Sequence, residues 1–427
     1  MRWTRTLLAT TAAAALLCAA PAGADHHGHH RHGPKLADQV YALSGGDGGV
    51  ATVIDARSHR ILATLPTGAG GTLGGLTPDG TKLYVGAAAV GQTDVTVIDT
   101  RSLTVTGRIT TGQRPKHPIV SPDGRWCAVN HFGQARMVII DTATDQIHKV
   151  IDFPVANPNA PGVFMMHSAW SWDSRYLFCQ NRKDGLVYAL DAFDDFAIAA
   201  TIPVDSPNHY QVVRPDNSEV WLVNEGNMAA GIPGSIDVVD MDTLQCTAHI
   251  VVHVDNPVDP NENVEAHHGN FTLDGSRFLL LNRGPGSLGF GGYTVNVYDA
   301  DTYALVKSLK LSGNGEGHAY LDPEGKYVVT TVYGNSTVSF LDAKTLTVVK
   351  EMAIGTGRHV GHVAFRRHQA FFTNSSDNAV YVVNMKNLKI VDTIPVATGP
   401  GQILNTYTSI FEVPGAYVPK VKPFLKE

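Results

Sequence analysis

Nineteen of the 427 residues are histidines, and several of them share a position in a repeat. His117, His167, His209, His268 (with His267 beside it), His318 and His359 or His362 each head an apolar segment, shortly before a tight turn. Neutral imidazole binds copper, zinc, nickel and haem iron. Histidines converging from such positions would make a transition-metal or haem site, with copper favoured. Arg114, Lys116, Arg182, Arg214, Arg283 and Arg358 lie close to them in sequence. These could hold an anion, such as a tetrapyrrole carboxylate or a small anionic substrate, by charge-assisted hydrogen bonds. Glu265 and Glu316 are candidate further ligands or a general base. Taken singly, each of these residues reads as a strand-end or surface group; the recurrence of the histidines argues for a shared site. His59, His131, His148, His249, His253 and His368 break the pattern and read as structural or exposed.

A second set of histidines lies near the start, in Asp25-His26-His27-Gly28-His29-His30-Arg31-His32. If processing exposes Asp25, the free amine, two amide nitrogens and His27 form a square-planar chelate of the kind Cu(II) prefers, with His26 beside it. The alternative is a polar tail with general metal affinity.

The elements that position these residues are strands. From Gln39 onward the apolar residues alternate, or run in fives, between Gly, Pro, Asn and Asp turns. One turn recurs as Thr77-Pro78-Asp79-Gly80, Ser121-Pro122-Asp123-Gly124, Ser171-Trp172-Asp173-Ser174, Arg214-Pro215-Asp216-Asn217, Thr272-Leu273-Asp274-Gly275 and Asp322-Pro323-Glu324-Gly325, with a degenerate copy at Phe365–His368. Apolar strands ending in Asp55, Asp99, Asp141, Asp191, Asp240, Asp299 and Asp342 recur at intervals of roughly 40 to 60 residues, the period of a four-stranded propeller blade. Seven complete units fit between Gly71 and Pro395. Three strands over 39–65 and one over 401–406 are left to make an eighth, closed by pairing the two ends. The expected fold is all-β: a single propeller, with eight blades favoured and seven as the alternative. The axial channel would then gather the histidines. The expected segments are a signal peptide over 1–24, a His-rich tail over 25–37, the propeller over 38–406, and a tail over 407–427 packed outside it.

Composition excludes some partners. The net charge is −6 and no Lys/Arg cluster stands out, so nucleic acid is not expected. Arg2 and Arg5, the apolar run Leu7–Ala20 and Ala22-Gly23-Ala24 read as an export signal with a cleavage site. That run is short for a membrane span, so the expected location is periplasmic or secreted. Cys18 also allows a lipoprotein reading, against which the large Leu17 counts. Cys127, Cys179 and Cys246 form neither C-x-x-C nor a c-type haem attachment motif, and Cys127 and Cys179 read as buried packing residues. Gly284–Gly292 reads as a hairpin insertion in the fifth blade.

The Val-Thr-Val-Ile-Asp strands with Ser-Pro-Asp-Gly turns resemble YVTN-type propellers. Three stretches are more specifically similar to the eight-bladed haem domain of cytochrome-type nitrite reductases and their biosynthetic relatives. These are His167-Ser168 through Arg175-Tyr176-Leu177-Phe178 to Arg182 and Asp184-Gly185, then His268-Gly269 with Leu273–Phe278, and Pro400–Thr406. The resemblance implies a d-type haem with His167 as proximal iron ligand and His268 on the distal side; Arg182 and Arg283 are the accompanying cofactor-binding candidates. Without a c-type haem motif, the sequence shows no electron entry for nitrite reduction. Copper-bearing propellers such as nitrous-oxide reductase also use channel histidines, an architectural likeness that does not fix function.

The favoured function is an exported propeller binding a transition metal or haem through His117, His167, His209, His268, His318, His359 and His362, in redox chemistry or cofactor handling. The alternatives are a non-catalytic scaffold that takes a protein partner on one face, and a metal-dependent hydrolase or lactonase.

Overall fold

A computed structural model describes residues 36–404 apart from 47, 206, 227–230, 253–264 and 285–289. Residues 1–24, read as a signal peptide, His26 and His27, and residues 407–427, read as a tail, therefore lie outside the described residues. Within them, 32 strands form eight antiparallel four-stranded sheets, and the only helical elements are the 3₁₀ turns Leu36–Asp38 and Ala192–Asp194. The chain is a single eight-bladed β-propeller. Blades one to seven span 74–110, 115–152, 168–203, 208–251, 266–310, 316–353 and 363–395. The eighth combines Gln39–Ser44, Val50–Asp55 and Ile61–Pro66 with the closing strand Pro400–Leu404.

The turn chemistry behaves as its residues dictate. In four copies the Ser or Thr hydroxyl donates to the turn Asp at 2.5–2.6 Å: Thr77 to Asp79, Ser121 to Asp123, Ser171 to Asp173 and Thr272 to Asp274. The last turn position has positive φ, taken by Gly80, Gly124, Gly275 and Gly325 and tolerated by Ser174 and Asn217. Along each blade burial grades outward. Trp126–His131, a second strand, is buried throughout, whereas Thr104–Thr110, an outermost strand, alternates between half-buried and exposed. Large rings fill the seams between blades: Trp221 packs on Phe271 and Phe278 at 5.2 and 4.7 Å, each such ring burying enough surface for about 2–3 kcal/mol.

Closure follows the expected plan. Tyr41 pairs with Leu404, Ala42 with Ile403 and Ser44 with Pro400, so the last described strand is the innermost of its blade. Both neighbouring blades hold it: Gln402 Oε1 accepts from Gly74 N at 2.7 Å, and Gly401 O accepts from Thr373 Oγ1 at 2.7 Å.

The degenerate turn of blade seven has a structural reason. Arg367 and His368 both adopt positive φ, making a tight two-residue hairpin that non-glycine residues enter at a cost. Its arginines converge on Asp38 at the head of blade eight. Asp38 is fully buried and accepts from Arg57 at 2.6 Å, Arg366 at 3.0 Å and Arg367 at 2.6 Å. Burial alone would raise its carboxyl, but the three guanidiniums outweigh that and lower its pKa to about 2.

Asp38→Asn should therefore lower stability by about 2 kcal/mol at neutral pH, read from urea denaturation. Because the folded pKa is depressed, the native advantage is present above about pH 4 and is lost as pH falls through about 2. The two proteins should converge in that window.

Candidate functional site

Innermost strands run toward the turn side, so their first residues lie at the opposite mouth of the channel. There the structure brings together His117, His167, His209, His267, His268, His318 and His362. Four of the innermost strands carry a bulge at their histidine: the pairing register shifts across Pro115/Pro118, Asn208/Tyr210, Ala266/Gly269 and Glu316/Ala319. A bulge re-aims its side chains, and here it accompanies the imidazoles turned toward the axis. Opposing side chains accept from the displaced amides: Asn130 Oδ1 from His117 N at 3.1 Å, and Thr331 Oγ1 from His318 N at 3.2 Å.

The imidazoles form one contiguous cluster. Ring centres are 5.3 Å apart for His167–His209, 5.1 Å for His167–His268, 4.8 Å for His209–His268 and 3.9 Å for His268–His318. His117 Nδ1 lies 3.1 Å from His167 Nδ1, and His362 Nδ1 lies 2.8 Å from the Tyr320 hydroxyl. Ligand nitrogens of His167, His209 and His268 lie within 4.8 Å of one another, and all three residues are buried. Shifts of less than about 1 Å per side chain would bring them to metal–nitrogen distances of ~2 Å.

A second circle of residues follows the second strands, which run antiparallel to the first and end at the same mouth: Phe132, Arg182, Glu225, Arg283, Tyr333 and Ser375. Of these, the sequence reading had singled out only Arg182 and Arg283; the recurring Asn that ends a second strand (Asn181, Asn224, Asn282, Asn374) is the signal that marks the position. Both arginines are engaged internally. Arg182 pairs with Glu225 at 2.7 Å, and Arg283 pairs with Glu265 at 2.6 Å while donating to His267 Nε2 at 2.8 Å. Glu225 also accepts from His209 Nδ1. This contact places the His209 proton on Nδ1 and leaves Nε2 as the ligand atom, the arrangement a carboxylate imposes on metal-binding histidines.

Burial sets the protonation states. It holds His167, His267, His268 and His318 well below the ordinary imidazole range, with mutual repulsion adding to it. It lowers His209 to about 4 against the attraction of Glu225. Burial works against the Glu225 charge, yet His209, Arg182 and Arg283 hold that carboxyl well below its usual value. His167, His209, His267, His268 and His318 are thus neutral imidazoles at physiological pH, the form that binds metals. Nε2 of both His209 and His268 is buried without a hydrogen-bond partner, a cost of about 1–3 kcal/mol each that a bound ion would relieve.

Above the cluster lies a cavity of about 360 Å³, whose walls include Lys116, Phe132, Phe290, Arg283, Tyr333 and His359. Phe290 enters from the end of the fifth-blade insertion. His359 stands exposed at the rim. Other expectations are corrected. Arg214 lies on the turn side, bonded to Asp301 and to Ala300 O, away from the histidines. Glu316 is fully buried and is not among the residues that line the cavity; burial raises its pKa to about 8, against a hydrogen bond with Thr330. His131 is structural, as read, bonded to Arg136 O at 2.9 Å and to Thr111 at 3.0 Å. Cys127 and Cys179 are buried, and Cys246 is exposed.

Fold and site together define an eight-bladed propeller with an imidazole-lined mouth on its axial channel. The sequence model of the Cytochrome D1 heme domain family matches residues 108–332, over half of the chain, and the chain belongs to that family. The matched span carries every clustered histidine except His362. Among solved structures, it is similar to "Dihydro-heme d1 dehydrogenase NirN in complex with DHE" (TM-score 0.70, 18% identity, 89% of this chain and 78% of that one). It is also similar to "Kuenenia stuttgartiensis Hydrazine Synthase" (0.55, 18%, 77% and 96%) and to apo AztD from Citrobacter koseri (0.59, 14%, 86% and 96%). At these identities the likeness is one of fold. No curated protein matches the chain.

The family implies a haem-class cofactor, and the residues present fit it on one side only. A macrocycle with His167 on its proximal face and His268 on its distal face needs more room than the 5.1 Å between the two rings, which are in edge contact. The cavity, in contrast, has aromatic walls, cationic groups and histidines, and could hold a flat macrocycle with an imidazole on one face.

Glu225→Ala would leave Arg182 buried without its carboxylate. It should cost about 3 kcal/mol in urea denaturation, and Glu225→Gln should cost less because its amide oxygen still accepts from Arg182.

Proposed function

We propose that this protein is an exported metal-handling propeller that holds a transition ion of the copper–zinc class through His167, His209 and His268. The observation that carries the reading is the convergence of three buried, neutral ligand nitrogens within 4.8 Å, one of them oriented by Glu225. The ligand set contains neither thiolate nor carboxylate. Three imidazoles leave a position open for a further ligand, and His117, His318 and His362 continue the lining beside it. Such a set suits capture and release of an ion. Copper agrees with the amine–imidazole chelate expected at a processed N-terminus, and export agrees with the character of residues 1–24. No helix among the described residues is long and apolar enough to cross a membrane.

The family match favours a second reading, in which the cavity over the cluster takes a haem-class tetrapyrrole. His167, His209 or His268 would supply a nitrogen to hold it, Phe132, Phe290 and Tyr333 would flank the macrocycle, and Lys116 would meet its carboxylates. When bound, the group would supply redox chemistry at its iron; the chain's own residues would orient it and limit access of water.

The test uses the full chain with His26, His27, His29, His30 and His32 replaced by alanine, loaded separately with Cu(II), Zn(II) and haem. The expected result is one tightly held ion per chain by elemental analysis, with affinity reduced by about 100-fold or more in His167→Ala, His209→Ala and His268→Ala. Glu225→Gln, which perturbs the orientation of His209, should reduce it by about 10- to 100-fold. No ion retained, together with a haem absorption band abolished by the same histidine changes, would replace the metal reading with the tetrapyrrole one.

A further inference from the structure

The cavity walls are charged unevenly. Of the two cations that line it, Arg283 has its carboxylate in Glu265, and Arg182 behind it is held by Glu225. Lys116, on the side of blade two, has none, nor has Arg114 beside it. Lys116 Nζ donates to Thr72 Oγ1 at 3.1 Å and lies 4.9 Å from the centre of the Phe132 ring. Arg114 donates to Ala88 O at 3.1 Å and sits 5.4 Å from the centre of the same ring. Among the described residues, no carboxylate lies within ion-pair distance of either. Lys116 lines the same cavity as His167, His209 and His268 and directly precedes His117, which touches His167.

Three neutral imidazoles leave the full charge on a divalent ion. A partly desolvated cavity screens poorly, so that charge and the ammonium on the wall repel each other more strongly than they would in water. An anion between them converts the repulsion into two attractions: it fills the open coordination position and accepts a charge-assisted hydrogen bond from the ammonium. We propose that the cavity takes its metal ion together with a small monoanionic co-ligand anchored on Lys116. This rests on the reading that the three histidines hold the ion, and it narrows the cargo to a metal–anion pair. The compensated cations on the opposite side do not compete for the anion, because Glu225 and Glu265 already occupy them.

Azide serves as the probe, since it is a small monoanion and its binding to Cu(II) gives a charge-transfer band. The full chain with its tail histidines replaced is loaded with Cu(II) and titrated with azide, as are its Lys116→Met and Lys116→Arg variants. The expected result is azide affinity at least about tenfold weaker in Lys116→Met and largely kept in Lys116→Arg, with copper affinity in azide-free buffer unchanged or higher in Lys116→Met. Equal azide affinity in the parent and Lys116→Met overturns the anchor. So does a loss of copper affinity in Lys116→Met, which marks Lys116 as a structural support. Copper uptake without any azide band overturns the anion alone. No copper uptake at the histidines overturns the metal reading and this inference with it.

Discussion

A propeller has no element on its axis, so the geometry of its channel depends on the ring being closed. Here closure rests on pairing Gln39–Ser44 with Pro400–Leu404 and on the buried Asp38, which ties the head of blade eight to the arginine turn of blade seven. Every imidazole in the cluster belongs to a different part of the chain from its partners, apart from His267 and His268. Their distances are set blade against blade, and a ring that opened would spread the error around the whole mouth. The strained Arg367-His368 hairpin makes sense in this light: regular turn chemistry was given up where its cations were needed at the joint.

Within the closed ring, burial does the next part of the work. Desolvation keeps His167, His209 and His268 neutral and available as ligands, and packing them ring against ring leaves Nε2 of His209 and His268 with nothing to bond. Glu225 adds direction. Held ionised by His209, Arg182 and Arg283, it decides which nitrogen of His209 faces the centre. The result is a set of donors without charge of its own, which is why the unpaired Lys116 on the blade-two wall matters for what can enter with a metal ion.

Family membership and local geometry bear on different levels. The Cytochrome D1 heme domain match accounts for the fold. The ring-to-ring contact between His167 and His268 is a property of this chain's packing, and it sets the arrangement implied by resemblance, with His167 proximal to the iron and His268 on the distal side, apart from the three-nitrogen cluster.

The fold was legible because strand alternation and the Ser/Thr-Pro-Asp-Gly turns are local: each needs only a few adjacent residues to specify hydrogen bonds and φ. The histidine positions were legible for the same reason, through repetition. Glu225 and Tyr333 were not, since each lies after a second strand and gains meaning only when antiparallel pairing returns it to the mouth. Arg214 misled because nearness to a histidine in sequence does not say which end of a blade a residue occupies. The sequence by itself determined eight repeats of short-range strand and turn chemistry and a histidine at the head of six of them. Only the tertiary structure decided which imidazoles touch, which cations are compensated and which lone pairs are left open, because those depend on distances between blades that close a ring through its two ends.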